Sequence, residues 1–308
     1  MFLTVILEVP ISLNYRFNPV LMRKTCFNAT MVVFCLLFSC RAFAQSIPLP
    51  NAFAHNDYSH KRPLQEALEN GYTNIEADVF LRGKNLVVAH INPFFKSHRK
   101  LEKLYLQPLL EAVVNNDGRI YPGYDKPITL LIDIKTEANE TYKVLKQLLE
   151  KYSEILTSYD NGVITERAVT IVLSGHKPYD ILKYESNRLA FIDKDLRKGV
   201  RDTVNSNVYA MASCKYSKMV KWNGYGSLPE KEKERLISYV DMAHSRGERV
   251  RLWASPENKA VWNELLKCGV DLINTNKLVA LKKFLISTSQ NLREDLPGLP
   301  DPRFASLN

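Results

Sequence analysis

Residues 51–79 read NAFAHNDYSHKRPLQEALENGYTNIEADV, and this stretch contains the pattern that decides the fold. A short apolar segment at 51–56 is followed by a helical pattern at 62–70 and a second apolar, β-branched segment at 73–79. Two strands separated by a helix pair in parallel, because a parallel pair needs a crossover connection. The stretch therefore predicts a parallel strand–helix–strand unit.

The same alternation of strands and helices continues along the chain. Further strands are predicted at 128–135, 168–174, 189–193, 207–213, 249–255 and 270–276. Further helices are predicted at 104–116, 138–153, 178–185, 230–247, 257–267 and 277–286. An additional strand at 86–89 is predicted to form an insertion after the second strand. Eight such units in about 240 residues predict an α/β protein, a single-domain (β/α)₈ TIM barrel.

The two ends of the chain are predicted to lie outside this barrel. Residues 22–44 combine a basic start, an apolar core and an A-x-A cleavage pattern, which together are typical of an export signal. Since Met22 is the better start for such a signal, we expect residues 1–21 to reflect a misplaced start codon. The predicted parts are an export signal at 1–44, the barrel at 45–286 and a polar, proline-containing tail at 287–308.

The export signal predicts a periplasmic or secreted protein. Lipoprotein processing at Cys40 is the less favoured alternative, because Phe38 is bulky where such sites prefer small residues. Removal of the signal leaves only Cys214 and Cys268, whose spacing is unlike that of a metal site. We expect both to be free, buried thiols.

The overall composition excludes several classes of protein. With 12 Gly, 5 Cys and 45% hydrophobic residues, the chain is not collagen-like, intrinsically disordered or a disulfide scaffold. Its formal net charge of +9, which falls to +6 without the predicted export signal at 1–44, suits a negatively charged substrate or surface.

Polar residues of types that serve in catalysis or metal binding lie at the ends of the predicted strands. Barrel enzymes build their active sites at the carboxyl ends of the strands. Residues at these ends are His55, Asn56, Glu76, Asp78, His90, Asp133, Lys135, Trp253, Asn274 and Asn276. Barrel strands are covered on both faces, so polar residues within them need a function or a partner.

The carboxylates among these residues indicate a metal site. Glu76 and Asp78 point to one face of their strand, and Asp133 ends the next barrel strand. Three carboxylates in one concave mouth repel one another unless a cation lies between them. Oxygen ligands favour one divalent cation, Mg²⁺ or Ca²⁺. With two histidines as acid and base and Lys135 as a fixed charge, the set favours phosphodiester chemistry over glycoside hydrolysis.

Four motifs resemble the PLC-like phosphodiesterase superfamily over about residues 50–285. They are AHNDY at 54–58, IEADVF at 75–80, VVAH at 87–90 and LIDIK at 131–135. This superfamily includes glycerophosphodiester phosphodiesterases, sphingomyelinase D-like enzymes and phosphatidylinositol-specific phospholipase C. The resemblance implies that His55 and His90 are the catalytic pair and that Glu76, Asp78 and Asp133 bind metal. It further implies that Lys135 contacts phosphate. Trp253 resembles the aromatic residue at the end of the seventh strand in sphingomyelinase D-like members.

Three positions differ among the branches of that superfamily. Glycerophosphodiesterases usually have His-Arg where this chain has His55-Asn56, and Glu where it has Asp133. Asp133-x-Lys135 is similar to the sphingomyelinase D side, whereas His55-Asn56 followed by Tyr58 is similar to phospholipase C, whose bacterial members work without metal. The overall pattern is most similar to an uncharacterised bacterial and fungal branch, and we expect a bacterial member.

The predicted function is that of a metal-dependent phosphoric diester hydrolase. It would cleave a glycerophosphodiester or a phospholipid-type headgroup by acid–base catalysis of His55 and His90, with Asn56, Trp253, Asn274 and Asn276 in contact with substrate. A metal-free lyase and a non-catalytic barrel that binds a phosphorylated ligand remain as alternatives. Residues 214–227 contain lysines and aromatics that either contact a membrane surface or pack as an ordinary loop. We expect a monomer that binds no nucleic acid.

Overall fold

The strands of the structure, a computed structural model, alternate with helices as the sequence predicts. The structure describes residues 46–93, 98–198 and 207–295, with the backbone alone for 291–295. Its strands are β1 Leu49–Ala54, β2 Tyr72–Arg82, β3 Asn85–Val88, β4 Ile128–Ile134, β5 Ser158–Asp160, β6 Val163–Thr165, β7 Val169–Gly175, β8 Asn187–Arg188, β9 Ala190–Asp195, β10 Tyr209–Lys215, β11 Arg249–Trp253 and β12 Ile273–Thr275.

Seven α-helices lie in the described residues, most of them between consecutive barrel strands. They are α1 Gln65–Glu69, α2 Gln107–Asn115, α3 Ala138–Glu150, α4 Tyr179–Tyr184, α5 Glu230–His244, α6 Lys259–Lys267 and α7 Leu278–Asp295. A π-helical turn at Glu102–Leu106 leads directly into α2. No helix in the described part of the chain has the length and hydropathy that a membrane span requires.

Eight strands pair in parallel in the order β11-β10-β9-β7-β4-β2-β1-β12. The circle closes between its two ends, where the backbone N–H of Leu272 donates to the Val250 carbonyl at 3.0 Å. The predicted (β/α)₈ barrel is therefore confirmed. Strand β3 pairs antiparallel with β2, as expected of an insertion after the second strand.

The barrel interior changes from apolar to polar along the strands. Phe53, Leu131, Val172, Met211 and Leu272 form a fully buried cluster contributed by five different barrel strands or their edges. Because side chains alternate along a strand, the residues next to Leu131 point outward and pack in the larger core beneath the helices. Two residues beyond this apolar layer the inward-facing side chains are polar or charged, among them His55, Asp133 and Asn274, and the candidate site begins there.

The structure extends the last helix beyond the predicted boundary. Helix α7 continues to Asp295, although residues from 287 onward were predicted as a tail. The polar side chains there are compatible with a helix because Ser287, Thr288 and Ser289 hydrogen-bond to carbonyls one turn earlier. Residues 296–308 lie outside the described ranges, as do the predicted export signal at 1–44 and the alternative at Cys40.

A small antiparallel sheet outside the barrel was not predicted. Strands β5, β6 and β8 form it, and the β5–β6 turn is Asn161-Gly162 with both residues at positive φ. An Asn-Gly pair between short strands is a strong hairpin signal, so this hairpin was detectable in the sequence. Both Cys214 and Cys268 are buried and free, as predicted. The described residues belong to one compact unit, in agreement with a single domain.

Candidate active site

Three carboxylates meet at the carboxyl ends of β2 and β4. Oxygen atoms of Glu76, Asp78 and Asp133 all lie within 4.8 Å of one another. The arrangement follows from strand register, because Asp78 is directly opposite Asp133 and Glu76 is opposite Leu131. The convergence expected from the sequence is therefore produced by the backbone pairing of two neighbouring strands.

Lys135 bridges two of these carboxylates. Its Nζ lies 2.8 Å from Asp133 Oδ2 and 3.1 Å from Asp78 Oδ2. Burial lowers the pKa of Lys135, but the hydrogen bonds and negative charges of the two aspartates outweigh this effect and raise it overall. The ammonium group is therefore a fixed positive charge in the site.

Arg251 compensates the third carboxylate and was not among the sequence-predicted residues. Its Nη1 lies 3.4 Å from Glu76 Oε2, and its guanidinium stacks 4.2 Å from the centroid of the Phe53 ring. Burial raises the pKa of Glu76, while Arg251 and His55 act in the opposite direction. A charged residue inside a strand covered on both faces is the signal that could have identified Arg251.

The residues of this cluster fit a divalent cation. Three carboxylates face two positively charged side chains, Lys135 and Arg251, and Arg251 also acts on the buried Asp193, so carboxylates outnumber cations among the described residues around the cluster. Asp133 Oδ1 is buried and has no hydrogen-bond partner among the described residues. Gly175 leaves room for this carboxylate, since a Cβ atom there would lie 2.0 Å from Asp133 Oδ1. The all-oxygen donor set is of the kind that Mg²⁺ and Ca²⁺ prefer.

Tyr58 connects a carboxylate of the cluster with His90. Its buried hydroxyl lies 2.8 Å from Asp78 Oδ2, 3.0 Å from His90 Nδ1 and 2.6 Å from Asn56 Oδ1. Burial and the Asp78 charge raise the pKa of Tyr58, so the phenol keeps its proton. His90 itself is mostly exposed, with Nδ1 3.3 Å from Asp78 Oδ2. Tyr58 and Asp78 thus orient the inner edge of an otherwise solvent-facing imidazole.

His55 is held from the side opposite the carboxylates. It follows the end of β1, and its backbone N–H donates to the Thr275 carbonyl at 2.9 Å. Its Nδ1 lies 3.1 Å from Asn276 Oδ1, and its Nε2 lies 3.8 Å from Glu76 Oε2. Asn276 is in turn held by Glu257, whose Oε1 accepts from its Nδ2 at 3.2 Å. The chain Glu257–Asn276–His55 therefore directs Nε2 toward the carboxylate cluster.

A cavity of about 590 Å³ joins these groups. From the predicted set it is lined by His55, Asn56, Glu76, Asp78, His90, Asp133, Lys135 and Trp253. Its volume lies in the usual range of small-molecule sites. Asn56 has φ 50°, a left-handed conformation that asparagine tolerates better than most residues.

Comparison with known proteins agrees with this architecture. A match to the AIM6-like phosphodiesterase domain covers residues 41–193, and a match to the glycerophosphoryl diester phosphodiesterase family covers residues 249–278. Altered inheritance of mitochondria protein 6 of Eremothecium gossypii is 30% identical over 271 residues, which are 77% of this chain and 69% of that protein. The chain belongs to the AIM6-like phosphodiesterase family.

Other relatives of this AIM6-like chain are also yeast proteins. Altered inheritance of mitochondria protein 6 is 31% identical in Saccharomyces cerevisiae (75% of this chain, 69% of that protein) and 29% identical in Kluyveromyces lactis (77% and 72%). A crystal structure of a glycerophosphodiester phosphodiesterase from Parabacteroides distasonis is 15% identical, with a TM-score of 0.49, and covers 78% of this chain and 98% of that chain.

These matches confirm the predicted superfamily and support a phosphoric diester hydrolase. The yeast relatives give no support to the expected bacterial placement.

Two predicted substrate contacts of the AIM6-like domain lie outside the cavity wall. Neither Asn274 nor Asn276 is among the described residues that line the cavity. Asn274 is buried within β12, and Asn276 contacts His55 and Glu257 instead. Asn276 is therefore placed to orient His55, whereas Asn56 and Trp253 line the cavity, and their contact with substrate stays a prediction.

Part of the lysine- and aromatic-containing segment 214–227 faces the cavity. Lys215 and Lys218 line it, whereas Trp222 packs against the core and donates from its Nε1 to the Tyr225 carbonyl at 2.7 Å. The tryptophan thus behaves as an ordinary packed loop residue, and the lysines are available to the cavity. Membrane contact through this segment remains a prediction.

Asp57, next to the histidine motif, has a structural position. Its Oδ2 accepts from the Leu64 backbone N–H at 2.6 Å and from the Tyr105 hydroxyl at 2.9 Å. Burial raises the pKa of Asp57 to about 6, with these hydrogen bonds acting in the opposite direction. It fixes the segment that leads from the histidine motif into α1 and does not line the cavity.

Proposed function

We propose that the chain is a metal-dependent phosphoric diester hydrolase that cleaves a glycerophosphodiester or a phospholipid-type headgroup. One observation carries this proposal: the clustered carboxylates share a cavity with two histidines and a lysine. Family membership supports the same reaction class. Three acidic ligands, an acid–base pair and a fixed cation are what the cleavage of a negatively charged diester requires.

Glu76, Asp78 and Asp133 would hold the divalent cation, Mg²⁺ or Ca²⁺. When bound, such a cation supplies a Lewis acid that neutralises the phosphate. Lys135 supplies a second positive charge on the same side of the cavity, because its position between Asp78 and Asp133 is fixed by both. Together these groups stabilise the negative charge of the phosphoryl oxygens.

His55 is the proposed general base. Because Asn276 Nδ2 donates to Glu257, the Asn276 oxygen faces His55 Nδ1 and accepts a hydrogen bond from the Nδ1–H group. Asn56 Nδ2 also lies 3.1 Å from Nδ1, and the Tyr58 hydroxyl contacts Asn56 Oδ1 at 2.6 Å. Of the two amides only Asn276 is held by a carboxylate, so we assign Asn276 as the partner of Nδ1. The lone pair of His55 therefore resides on Nε2, the nitrogen toward the carboxylate cluster. From there it removes a proton from water or from a neighbouring hydroxyl of the substrate.

His90 is the proposed general acid. Its Nδ1 lies 3.0 Å from the Tyr58 hydroxyl and 3.3 Å from the Asp78 carboxylate, and these two contacts fix the orientation of the ring. The other edge of the ring is exposed, so it can reach the leaving alkoxide and donate a proton to it.

A metal-free lyase is the second candidate. Lys135 and Arg251 already pair with the three carboxylates, so two positive charges stand in the site without a metal ion. In that mechanism one histidine takes the proton of a substrate hydroxyl, whose oxygen attacks the phosphorus of the same molecule. The P–O bond to the leaving alcohol breaks, the other histidine protonates that alcohol, and a cyclic phosphate is the product.

The test follows glycerophosphocholine and glycerophosphoinositol by ³¹P NMR with the full chain in Mg²⁺, Ca²⁺ or EDTA. We expect loss of the diester signal and growth of a monoester signal that requires metal and is absent in Asp78→Asn/Asp133→Asn. A cyclic phosphate that forms in EDTA would support the lyase instead. No turnover of either substrate, with a folded protein, would contradict the hydrolase and favour a binding barrel.

A further inference from the structure

The wall of the cavity opposite the carboxylates is basic. In the strand order, β10 is four strands away from β2 in an eight-stranded circle, so the two strands face each other across the barrel. From the end of β7, next to β4, round to the ends of β9 and β10, the cavity is lined by Lys177, Lys194, Arg197, Lys215 and Lys218 against Asp193 and Asp195. The mechanism proposed above uses none of these basic side chains.

Lys215 and Lys218 differ from the other basic residues of this wall, whose charged groups have protein partners; Lys177 Nζ, for example, donates to the Asp193 backbone carbonyl at 2.6 Å. Arg197 pairs with Asp195 at 2.7 Å, and Lys194 pairs with Glu248 at 3.2 Å. Within the described ranges, by contrast, no carboxylate oxygen is found within 4.0 Å of Nζ of Lys215 or Lys218, and both side chains are exposed. Their positive charges therefore act on whatever occupies the cavity.

The acidic groups of this wall leave that charge uncompensated. The Asp195 carboxylate forms an ion pair with Arg197. Asp193 is buried, accepts from the Ser213 hydroxyl, and has its pKa raised by burial, with Arg251 and Lys177 acting in the opposite direction. Neither carboxylate is available to Lys215 or Lys218, so a negatively charged ligand group is the missing partner.

Trp253 gives this wall an apolar surface beside the charge. Its side chain is 37% exposed at the end of β11, and Lys215 Nζ lies 5.8 Å from its ring centroid. A flat apolar face next to an ammonium group suits a ligand whose carbon skeleton carries an anion. The cavity volume of about 590 Å³ is large enough for a ligand that reaches both walls.

We infer that the substrate carries a second anionic group, a phosphomonoester or a carboxylate, on the part of the molecule beyond the diester. This inference rests on the proposed function. The diester phosphate lies at Lys135 and the carboxylate cluster, the second anion contacts Lys215 and Lys218, and Trp253 packs on the skeleton between them. Because lysine is a flexible point charge, the wall selects for charge more than for the exact shape of the anion.

Matched substrates that differ by one anionic group test the inference. Glycerophosphoinositol 4-phosphate is compared with glycerophosphoinositol, and glycerophosphoserine with glycerophosphoethanolamine, as kcat/KM of the full chain. We expect the more anionic member of a pair to be preferred at least tenfold, and this preference to fall about tenfold in Lys215→Ala/Lys218→Ala. Lys221→Ala, in the same segment but outside the cavity lining, is expected to keep the preference. Equal kcat/KM for both members of each pair would overturn the inference.

Two further measurements distinguish a lipid headgroup from a free molecule and separate failure of this inference from failure of the proposed function. Vesicles that contain phosphatidylinositol 4-phosphate or phosphatidylinositol, in place of the soluble diesters, show whether the anion belongs to a lipid headgroup or to a free molecule. If no diester is hydrolysed, the proposed function fails. Binding of the same soluble pairs, measured by calorimetry, then decides the inference independently. Tighter binding of the more anionic member that depends on Lys215 and Lys218 supports it, and equal binding refutes it.

Discussion

Asp78 and Asp133 face each other across the parallel pair β2–β4, and Lys135 Nζ lies within 3.1 Å of an oxygen of each. Two carboxylates on adjacent rigid strands cannot move apart, so their repulsion is relieved by positive charge. The lysine contributes one such charge from the same strand as Asp133, two residues further along. The central geometry of the site is thus set by strand register.

Lys135→Ala is expected to lower kcat/KM for a phosphodiester by about two to three decades, the usual cost of losing a group that stabilises developing charge. Lys146→Ala is the matched control, because Lys146 pairs with Glu185 at 2.8 Å and does not line the cavity. Steady-state kinetics on glycerophosphocholine measure the effect. A loss no greater than that of the control would remove Lys135 from phosphate binding.

Tyr58→Phe is expected to lower kcat by about tenfold and to shift the pH profile of the reaction. The phenol connects Asp78 with His90, and loss of such a supporting hydrogen bond to a ligand or catalytic group typically costs 10–100-fold. The pH dependence of kcat measures this, since a loss of packing alone would lower kcat by the same factor at every pH.

Tyr72→Phe provides the control for Tyr58→Phe. Tyr72 is equally buried, and its hydroxyl donates to the Leu278 carbonyl at 2.9 Å, away from the cavity. We expect this variant to lose stability without a change in pH profile. Identical pH profiles of kcat for wild type and Tyr58→Phe would show that Tyr58 contributes packing alone.

The two histidines are expected to respond differently to the leaving group. His90→Ala should lower turnover of glycerophosphocholine by about two to four decades, because an alkoxide needs a proton to leave. It should impair bis(p-nitrophenyl) phosphate much less, since p-nitrophenolate is a stable anion. His55→Ala should impair both substrates. The reverse pattern would exchange the roles of the two histidines.

Asp57 is expected to make the folded protein less stable as pH rises. Its pKa is about 6 in the folded state against 3.8 for an ordinary aspartate, so the folded protein holds the proton more tightly. Its stabilising contribution is present below about pH 4 and is lost as the pH rises to 6 and above. Two units of pKa correspond to about 3 kcal/mol in the free energy of unfolding.

Asp57→Asn isolates this effect because the amide does not titrate. Urea unfolding of both proteins at about pH 4.5 and about pH 7.5 measures the difference in their free energies of unfolding. We expect wild type to lose stability relative to the variant between the two conditions. A difference that does not change with pH would contradict the position assigned to Asp57.

Much of the site was predictable because its residues lie at strand ends. The alternation of apolar segments and helices predicts the barrel, and the barrel brings His55, Glu76, Asp78 and Asp133 to one mouth. The two-residue spacing of Glu76 and Asp78 predicts their shared face. Sequence spacing therefore suffices wherever one strand or two adjacent strands determine the geometry.

Contacts across the barrel were not predictable in the same way. Arg251 of β11 meets Glu76 of β2, three strands away, and Glu257 holds Asn276 where β11 and β12 close the circle; both contacts depend on that closure and its register. The role of Tyr58 likewise depends on where the β3 insertion places His90. The Asn161-Gly162 hairpin and the extended helix α7 are different cases, since their local signals were present in the sequence.

Metal binding measured together with catalysis shows whether Glu76, Asp78 and Asp133 hold an ion that phosphodiester cleavage requires. The full chain, stripped with a chelator, is titrated with Mg²⁺ or Ca²⁺ by calorimetry while glycerophosphocholine hydrolysis is followed at each addition. We predict one ion per chain, a rate that rises with occupancy, and loss of both in Glu76→Gln/Asp78→Asn. Full hydrolysis by the stripped chain, with no ion bound, would contradict the account.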